Sequence, residues 1–275
     1  MRSLKHNFTK VSLLMAFLLF GVADAVAQNF QGKAYYLSKS TIEFGSWGAT
    51  LSEERKKEIK QRLKNRLEKN YILTFNIEES TFDEEERLDA VSGATDSWGK
   101  NFTPGTSYKN IKTNTVLQDQ EFYGKKFLIA DQLLKLEWNI TDESKKIGDY
   151  FCMKALALVP SDSIAWYDFS WDKLRSNSNA ESSDTEAIEL TQVEAWYTPQ
   201  IPVSHGPLEY SGLPGLILEV SANNTTMLCY KIVLSSDDQT KIKKPGKGEI
   251  VKKSEYQNIV MSKMAEMRDM YRGRR

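Results

Sequence analysis

The sequence predicts an α+β fold, a predominantly antiparallel, curved β-sheet with a helix near each end. Three observations point to it. Tyr71, Leu73, Phe75 and Ile77 alternate with mostly polar neighbours, the period of a strand buried mainly on one face. Two strand-like runs, Leu216 to Val220 and Thr226 to Leu234, flank Asn223-Asn224, and Asn tolerates the left-handed backbone of a tight hairpin turn. Helical spacing is confined to residues 51–70 and 254–271, so the helices are expected to cover the sheet rather than alternate with its strands.

At the start, Arg2, Lys5 and Lys10 surround or precede the apolar run Val11 to Phe20, and small residues follow to Ala25-Val26-Ala27. That order of basic, apolar and small residues reads as a cleavable secretory signal peptide over residues 1–27. The run falls short of the roughly 20 apolar residues of a permanent span. No cysteine stands at the cleavage site to take a lipid, and no later run is apolar enough to span a membrane. The mature chain, residues 28–275, is expected as a single domain, exported to the periplasm or cell surface and soluble there.

Phe30 to Leu37, rich in aromatics, reads as the first strand. Thr50 with Glu53 forms a capping box for the helix 51–70. Ile59, Leu63 and Leu67 make its narrow apolar stripe, and Glu53–Lys57 and Glu58–Arg62 are spaced as i,i+4 ion pairs. Residues 79–119 lack sustained periodicity and hold Gly93, Gly99, Pro104 and Gly105, so they read as one long loop. Trp98 within it is a candidate anchor or contact residue. Glu121 to Ile129 reads as a hairpin turning near Gly124, Leu136 to Ile140 as a strand, and Asp149 to Val159 as a strand carrying Cys152. Residues 172–190, polar from Ser176 to Thr185, read as a flexible surface insertion. Val193 to Tyr197 is the next strand. In the last helix, Ser254 and Gln257 form a capping box, and Tyr256, Val260, Met264, Met267 and Tyr271 share one face that reads as core filler.

The chain balances 37 basic against 37 acidic residues, and loss of the signal peptide leaves 34 against 36. This near-neutral balance argues against a nucleic-acid partner.

Residues 195–220 are the most distinctive: Ala195-Trp196-Tyr197-Thr198-Pro199-Gln200-Ile201-Pro202-Val203-Ser204-His205-Gly206-Pro207, then Tyr210-Ser211-Gly212-Leu213-Pro214-Gly215-Leu216-Ile217 and on to Val220. Three prolines fix φ and bias their predecessors to extended forms. Leu213-Pro214-Gly215-Leu216 fits a type II turn, Pro second and Gly third. Here the chain resembles the GLPGLI family of exported proteins, best known from the Bacteroidota. Gly212 to Ile217 matches the family's naming motif letter for letter, and Trp196 to Pro199 and Ile201 to Pro207 look like the rest of its signature. Phe127-Leu128-Ile129, Trp138, the stretch Ile147 to Ala155 and the tail Pro245 to Met267 are also similar. The resemblance implies an exported protein without an assigned biochemical activity.

The turn motif Gly212, Leu213, Pro214 and Gly215 reads as a structural corner, and no catalytic residue is assigned. Weak ligand-binding candidates are Trp98, Trp196, His205 and Tyr210. His205 is the one histidine left after His6 departs with the signal peptide. One histidine and two cysteines are too few for a zinc site of about four ligands, so no metal and no cofactor is expected. Cys152 and Cys229 are either a disulfide, suited to an exported chain, or two separate buried thiols. The reading this supports is a non-enzymatic binding or accessory protein, its partner an outer-membrane or cell-surface protein or an apolar ligand held by the curved sheet. The alternative is a secreted hydrolase or thiol enzyme using Cys152 or His205.

Overall fold

Tyr71, Leu73 and Phe75 all lie buried along strand β2 (Glu68–Asn76), as their period of two requires. The computed structural model describes residues 31–42, 44, 49–85, 101–164, 166–167, 174, 189–235 and 242–272. Those residues contain β1 (Gln31–Ser40), β3 (Glu79–Glu84), β4 (Ser107–Asn110), β5 (Thr115–Phe122), β6 (Lys125–Asp131) and β7 (Asn139–Ile147). They also contain β8 (Tyr150–Pro160), β9 (Leu190–Thr198), β10 (Leu216–Ala222), β11 (Thr225–Ser235) and β12 (Glu249–Val251). Helices are α1 (Glu53–Arg62), α2 (Lys64–Leu67), α3 (Ser161–Ile164) and α4 (Lys253–Arg272).

All the strands join one twelve-stranded sheet in the order β12-β6-β5-β4-β3-β2-β1-β11-β10-β9-β8-β7. Every pairing is antiparallel except β12 with β6. Both edges are blunted against pairing with other chains. β12 is three residues long, and β7 is bulged between Ile140 and Ser144 and carries Asp142, Glu143, Lys145 and Lys146.

The sheet curls strongly. β4 and β10 are five ladder steps apart, about 24 Å if the sheet were flat. Yet Lys109 of β4 hydrogen-bonds Gly206, and Gly206 lies against Ile217 of β10. The intervening strands β2, β1 and β11 are therefore the crest of the curl. One apolar core fills the concavity between β1–β3 and β8–β11, built on Tyr36, Leu73, Phe75, Phe82, Ala155, Val193 and Tyr197. A second core lies under α4, where Tyr256, Val260 and Met264 meet Phe122, Phe127 and Ile129.

The structure revises several sequence-based expectations. Residues 79–119 are not one loop: β3, β4 and the start of β5 lie within them, and residues 86–100 fall outside the described ones. Periodicity missed these strands because their buried positions include Ser80, Thr81, Ser107, Lys109 and Asn110. The helix expected over 51–70 is two, α1 ending at Arg62 and α2 at Leu67, and α1 opens on Ser52, whose Oγ accepts from the Arg55 N–H, rather than on Thr50. Its ion pairs are i,i+3, Lys56 with Glu53 and Arg55 with Glu58. At α4 the reach-back bond comes from Glu255, which accepts from the Lys252 N–H, and not from Gln257. Of its apolar face, Tyr271 is exposed. Residues 132–138 form no strand, and β7 starts at Asn139. The signal peptide 1–27 and most of the insertion 172–190 lie outside the described residues.

The expected type II turn also gives way. Gly215 has no positive φ, whereas Gly212 has φ +92°. Gly215 is needed for space instead: a Cβ there would sit 2.2 Å from the Thr198 carbonyl oxygen. Gly124, in the β5–β6 turn, has the opposite character, φ +79° with nothing within 4 Å. Gly215→Ala should therefore lower stability by about 2–4 kcal/mol through backbone displacement, and Gly124→Ala by only about 1 kcal/mol. Urea unfolding midpoints of the two variants give the comparison, and equal losses would refute the steric reading of Gly215.

Candidate functional site

The signature segment 199–215 leaves β9, enters the concave side of the sheet and returns to β10. Its route follows from its composition. Ile201, Val203, Leu208 and Leu213 are buried, and the alternate residues Pro202, Gly212 and Pro214 are exposed. A proline-rich strand cannot complete a ladder, so the segment satisfies its backbone by folding onto its own return. The carbonyls of Ile201 and His205 accept from the Leu216 and Ile217 N–H groups at 3.0 Å each, and Ser204 accepts from Gly212 at 3.2 Å. Trp138 secures the far end by donating from Nε1 to the Ser211 carbonyl at 2.9 Å.

At the tip, Tyr210 N–H donates to the Pro207 carbonyl at 3.0 Å, and Leu208 takes φ +43°. A bulky residue in that region is strained by roughly 1–2 kcal/mol. Burial of its side chain and of its neighbours holds it there. The turn aims Glu209 inward, where Oε1 accepts from Trp166 Nε1 at 2.6 Å and lies 3.7 Å from Lys253 Nζ.

Lys109 approaches from the opposite wall. It is 1% exposed, and Nζ donates to the carbonyls of Gly206 at 2.6 Å and Tyr210 at 3.0 Å. Burial pulls its ammonium down from 10.5 to about 7; Glu209 opposes the shift and Lys253 adds to it. His205 is fully buried beside Phe75, ring centroids 6.5 Å apart. Burial, and then Lys109, lower it from 6.5 to about 3, so the imidazole is neutral. Its two nitrogens make no hydrogen bond of acceptable geometry, although the backbone of Asn76 and Ile77 is close enough to act on its charge. Ser80 Oγ, across the ladder from Lys109, and Gln118 Nε2 are likewise buried without a partner. Unpaired buried polar atoms of this kind cost about 1–3 kcal/mol each.

Among the described residues, the candidates do not all converge. His205 and Tyr210 are inside, where burial raises the Tyr210 phenol. Trp196 alternates with Ala195 and Tyr197 and so points to the outer face. There its Nε1 donates to Glu194, and Lys145 Nζ sits 4.2 Å above its ring, leaving it 7% exposed. Its own lysine thus covers the face a ligand would stack on. Trp98 lies outside the described residues. Cys152 and Cys229, candidates for a disulfide, are free buried thiols, pushed by burial up to about 11 and about 12. The concavity expected to hold an apolar ligand is filled by Ile201, Val203, Leu208 and Leu213. Among the described residues, no group of three or more His, Cys, Asp and Glu side chains forms a metal-binding cluster. A shallow groove of about 410 Å³ runs along α4 at Asn258, Ile259, Ser262, Lys263 and Glu266, and shares no residue with the signature.

Sequence reading missed Lys109, Glu209 and Trp166. A lysine in a polar stretch reads as exposed, and nothing local marks Lys109 as buried.

Residues 138–219 match the family model described as a protein of unknown function (Porph_ging). The match runs from Trp138 through β7, β8, β9 and the threaded segment to Glu219 of β10. No curated protein matches the chain. Among solved structures it is similar to PNGF-II in a C2 crystal form, at 15% identity and a TM-score of 0.47, over 84% of this chain and 32% of that one. It is also similar to PNGF-II in a P21 form, at 16% identity and a TM-score of 0.43, over 81% and 31%. The chain spans about a third of the length of those structures.

The two buried bases set pH dependences of the same sign in successive windows. For His205, the unfolded chain gains a proton near 6.5 and the folded chain only near 3, so its contribution is intact above 6.5 and decays as pH falls through that window. For Lys109, the folded chain has lost a proton by about 7 that the unfolded chain keeps to 10.5, so stability rises with pH across that window. Lys109→Met should flatten the alkaline rise, while lowering stability throughout by stranding the Gly206 and Tyr210 carbonyls. Urea stability measured from pH 6 to pH 10.5 checks this; an unchanged slope would count against a buried, depressed Lys109.

Proposed function

We propose that this chain is an exported, non-enzymatic binding or accessory protein of the GLPGLI type, soluble in the periplasm or at the cell surface after loss of residues 1–27. The observation that carries this reading is the position of the groups an enzyme would need. His205, Cys152 and Cys229 are all sealed in the interior. Nucleophilic catalysis by cysteine needs an accessible thiolate, and burial pushes both thiols the other way. General acid–base work needs a histidine that titrates near the working pH and reaches a substrate. His205 is held neutral down to about 3 with no path to one.

The threaded segment supports the same reading. It uses its prolines, Gly206 and Gly215 to thread and pack a core, an architectural role for the most distinctive stretch of the sequence. With the concave side filled, a partner meets this protein on its outer surface. Among the described residues, no helix is long and apolar enough to cross a membrane.

Iodoacetamide applied to the native protein at pH 8 should label neither cysteine, and labelling of both should follow only when urea opens the core. Peptide mass spectrometry reads the result. Rapid labelling of Cys152 or Cys229 in the native state would revive the thiol-enzyme reading and sink this one.

A further inference from the structure

The outer face of the crest departs from the pattern of a solvated antiparallel sheet, which is polar on its water side. On β1 and β11 the pairs that share this face are Leu37 with Leu228, Tyr35 with Lys231, and Lys33 with Val233. On β2, Ile72 extends the row from Tyr35. Tyr230, at the β-bulge, lies 6.3 Å from Tyr35 between ring centroids. Tyr230, Val233 and Leu228 are 54%, 43% and 39% exposed. A contiguous exposed apolar platform of this kind marks an interaction surface.

Its charge indicates the partner. Lys33 and Lys231 have no ion-pair partner among the described residues, and Lys231 rests 5.0 Å over the Tyr35 ring. The carboxylates that border the platform on its own strand rows are already held: Glu68 by Lys39 at 3.6 Å and Glu219 by Lys145 at 2.7 Å. Asp83, opposite Ile72 on β3, and Glu85, which accepts from Asn70 across from Leu37, are the remaining acids. The platform thus offers apolar area, two tyrosines and unpaired lysines, while the chain as a whole carries no net charge. A second copy would bring the same lysines against its own, so self-association is disfavoured.

The shape narrows the choice further. Because the sheet curls about its concave core, β1 and β11 lie along its convex line, and a planar partner touches the molecule there first. As a central face of the sheet, the platform has no free edge for strand addition. Tyrosine and lysine above aliphatic side chains suit the headgroup zone of a bilayer, with the rings at the interface and the ammonium groups reaching to phosphate.

We infer that the outer face of β1 and β11 rests on anionic lipid surfaces, held by Leu228, Tyr230 and Val233 and by the charges of Lys33 and Lys231. This rests on the binding reading proposed above and names its partner class. The association is peripheral and salt-sensitive.

The test is flotation of the exported, purified protein with vesicles of phosphatidylglycerol and phosphatidylcholine in equal parts, against phosphatidylcholine alone. Binding is expected to the anionic vesicles only, and to fall as salt rises. Lys33→Gln and Lys231→Gln should each weaken partitioning about fivefold, and Leu228→Asp with Tyr230→Asp should abolish it. Thermal melting followed by circular dichroism shows whether each variant is folded, and the lysine variants carry the test if the aspartate pair is not. No binding to anionic vesicles, equal binding to neutral ones, or undiminished binding by folded variants overturns the inference. So does a protein partner that binds through Tyr230 in the absence of lipid. Such failures leave the unreactive thiols untouched and remove the lipid class alone; a reactive native cysteine would instead remove the binding reading while vesicle binding stood.

Discussion

The ammonium of Lys109 holding the carbonyls of Gly206 and Tyr210 is the contact on which the rest of this architecture depends. It joins the middle of the sheet to a segment that belongs, by chain order, to the β9–β10 connection. The apolar core already draws the two halves of the sheet together across the concavity. The apolar residues of the segment supply the bulk of the filling, but apolar contact is non-directional. Two hydrogen bonds to specific carbonyls fix which part of the segment sits against which strand. Tyr36 does the same from β1, donating to the Ile217 carbonyl at 2.6 Å.

That tie has a local cost, which the surroundings offset. A buried lysine is desolvated, His205 and Ser80 lack partners, and Leu208 occupies a strained φ. Each would be expensive alone. They persist together because the segment carries Ile201, Val203, Leu213 and Leu216 into full burial, at about 1.5–3 kcal/mol for each large aliphatic side chain. Glu209 contributes as well, since its carboxylate opposes the loss of the Lys109 charge and links the tip to Trp166 and Lys253 near α4. The polar seam is therefore where the two apolar cores meet.

Much of this fold was legible in the sequence wherever the periodicity of a strand coincided with a one-sided core. β2, β8, β9 and the β10–β11 hairpin at Asn223 all follow that rule, and Asn223 adopts φ +50° as its turn requires. The rule failed for β3 and β4, because most of their buried positions are polar, Ser80, Thr81, Ser107, Lys109 and Asn110 among them, and the alternation cannot be seen in hydropathy. It failed for β7 because an edge strand exposed along most of its length has no buried face to reveal. At the signature, the presence of a rigid, glycine-dependent bend was legible, but its reason was not. Local chain geometry assigned Gly215 to a turn, whereas the carbonyl of Thr198, from the neighbouring strand, is what excludes a side chain there. Lys109 was hidden for the same cause: its role is defined by residues about a hundred positions away.

The burial of the signature bears on whether its form implies activity. A motif of prolines and glycines around a lone histidine invites a catalytic reading, and His205 is the natural focus. Yet the charge that acts on the histidine is that of a lysine, which disfavours the imidazolium that general acid catalysis would require. No carboxylate orients its ring, as a catalytic histidine needs. Glu209 is turned instead toward Trp166 and Lys253. The same turn that buries Glu209 thus removes it from His205. The geometry that makes the signature recognisable is the geometry that holds the curled sheet closed.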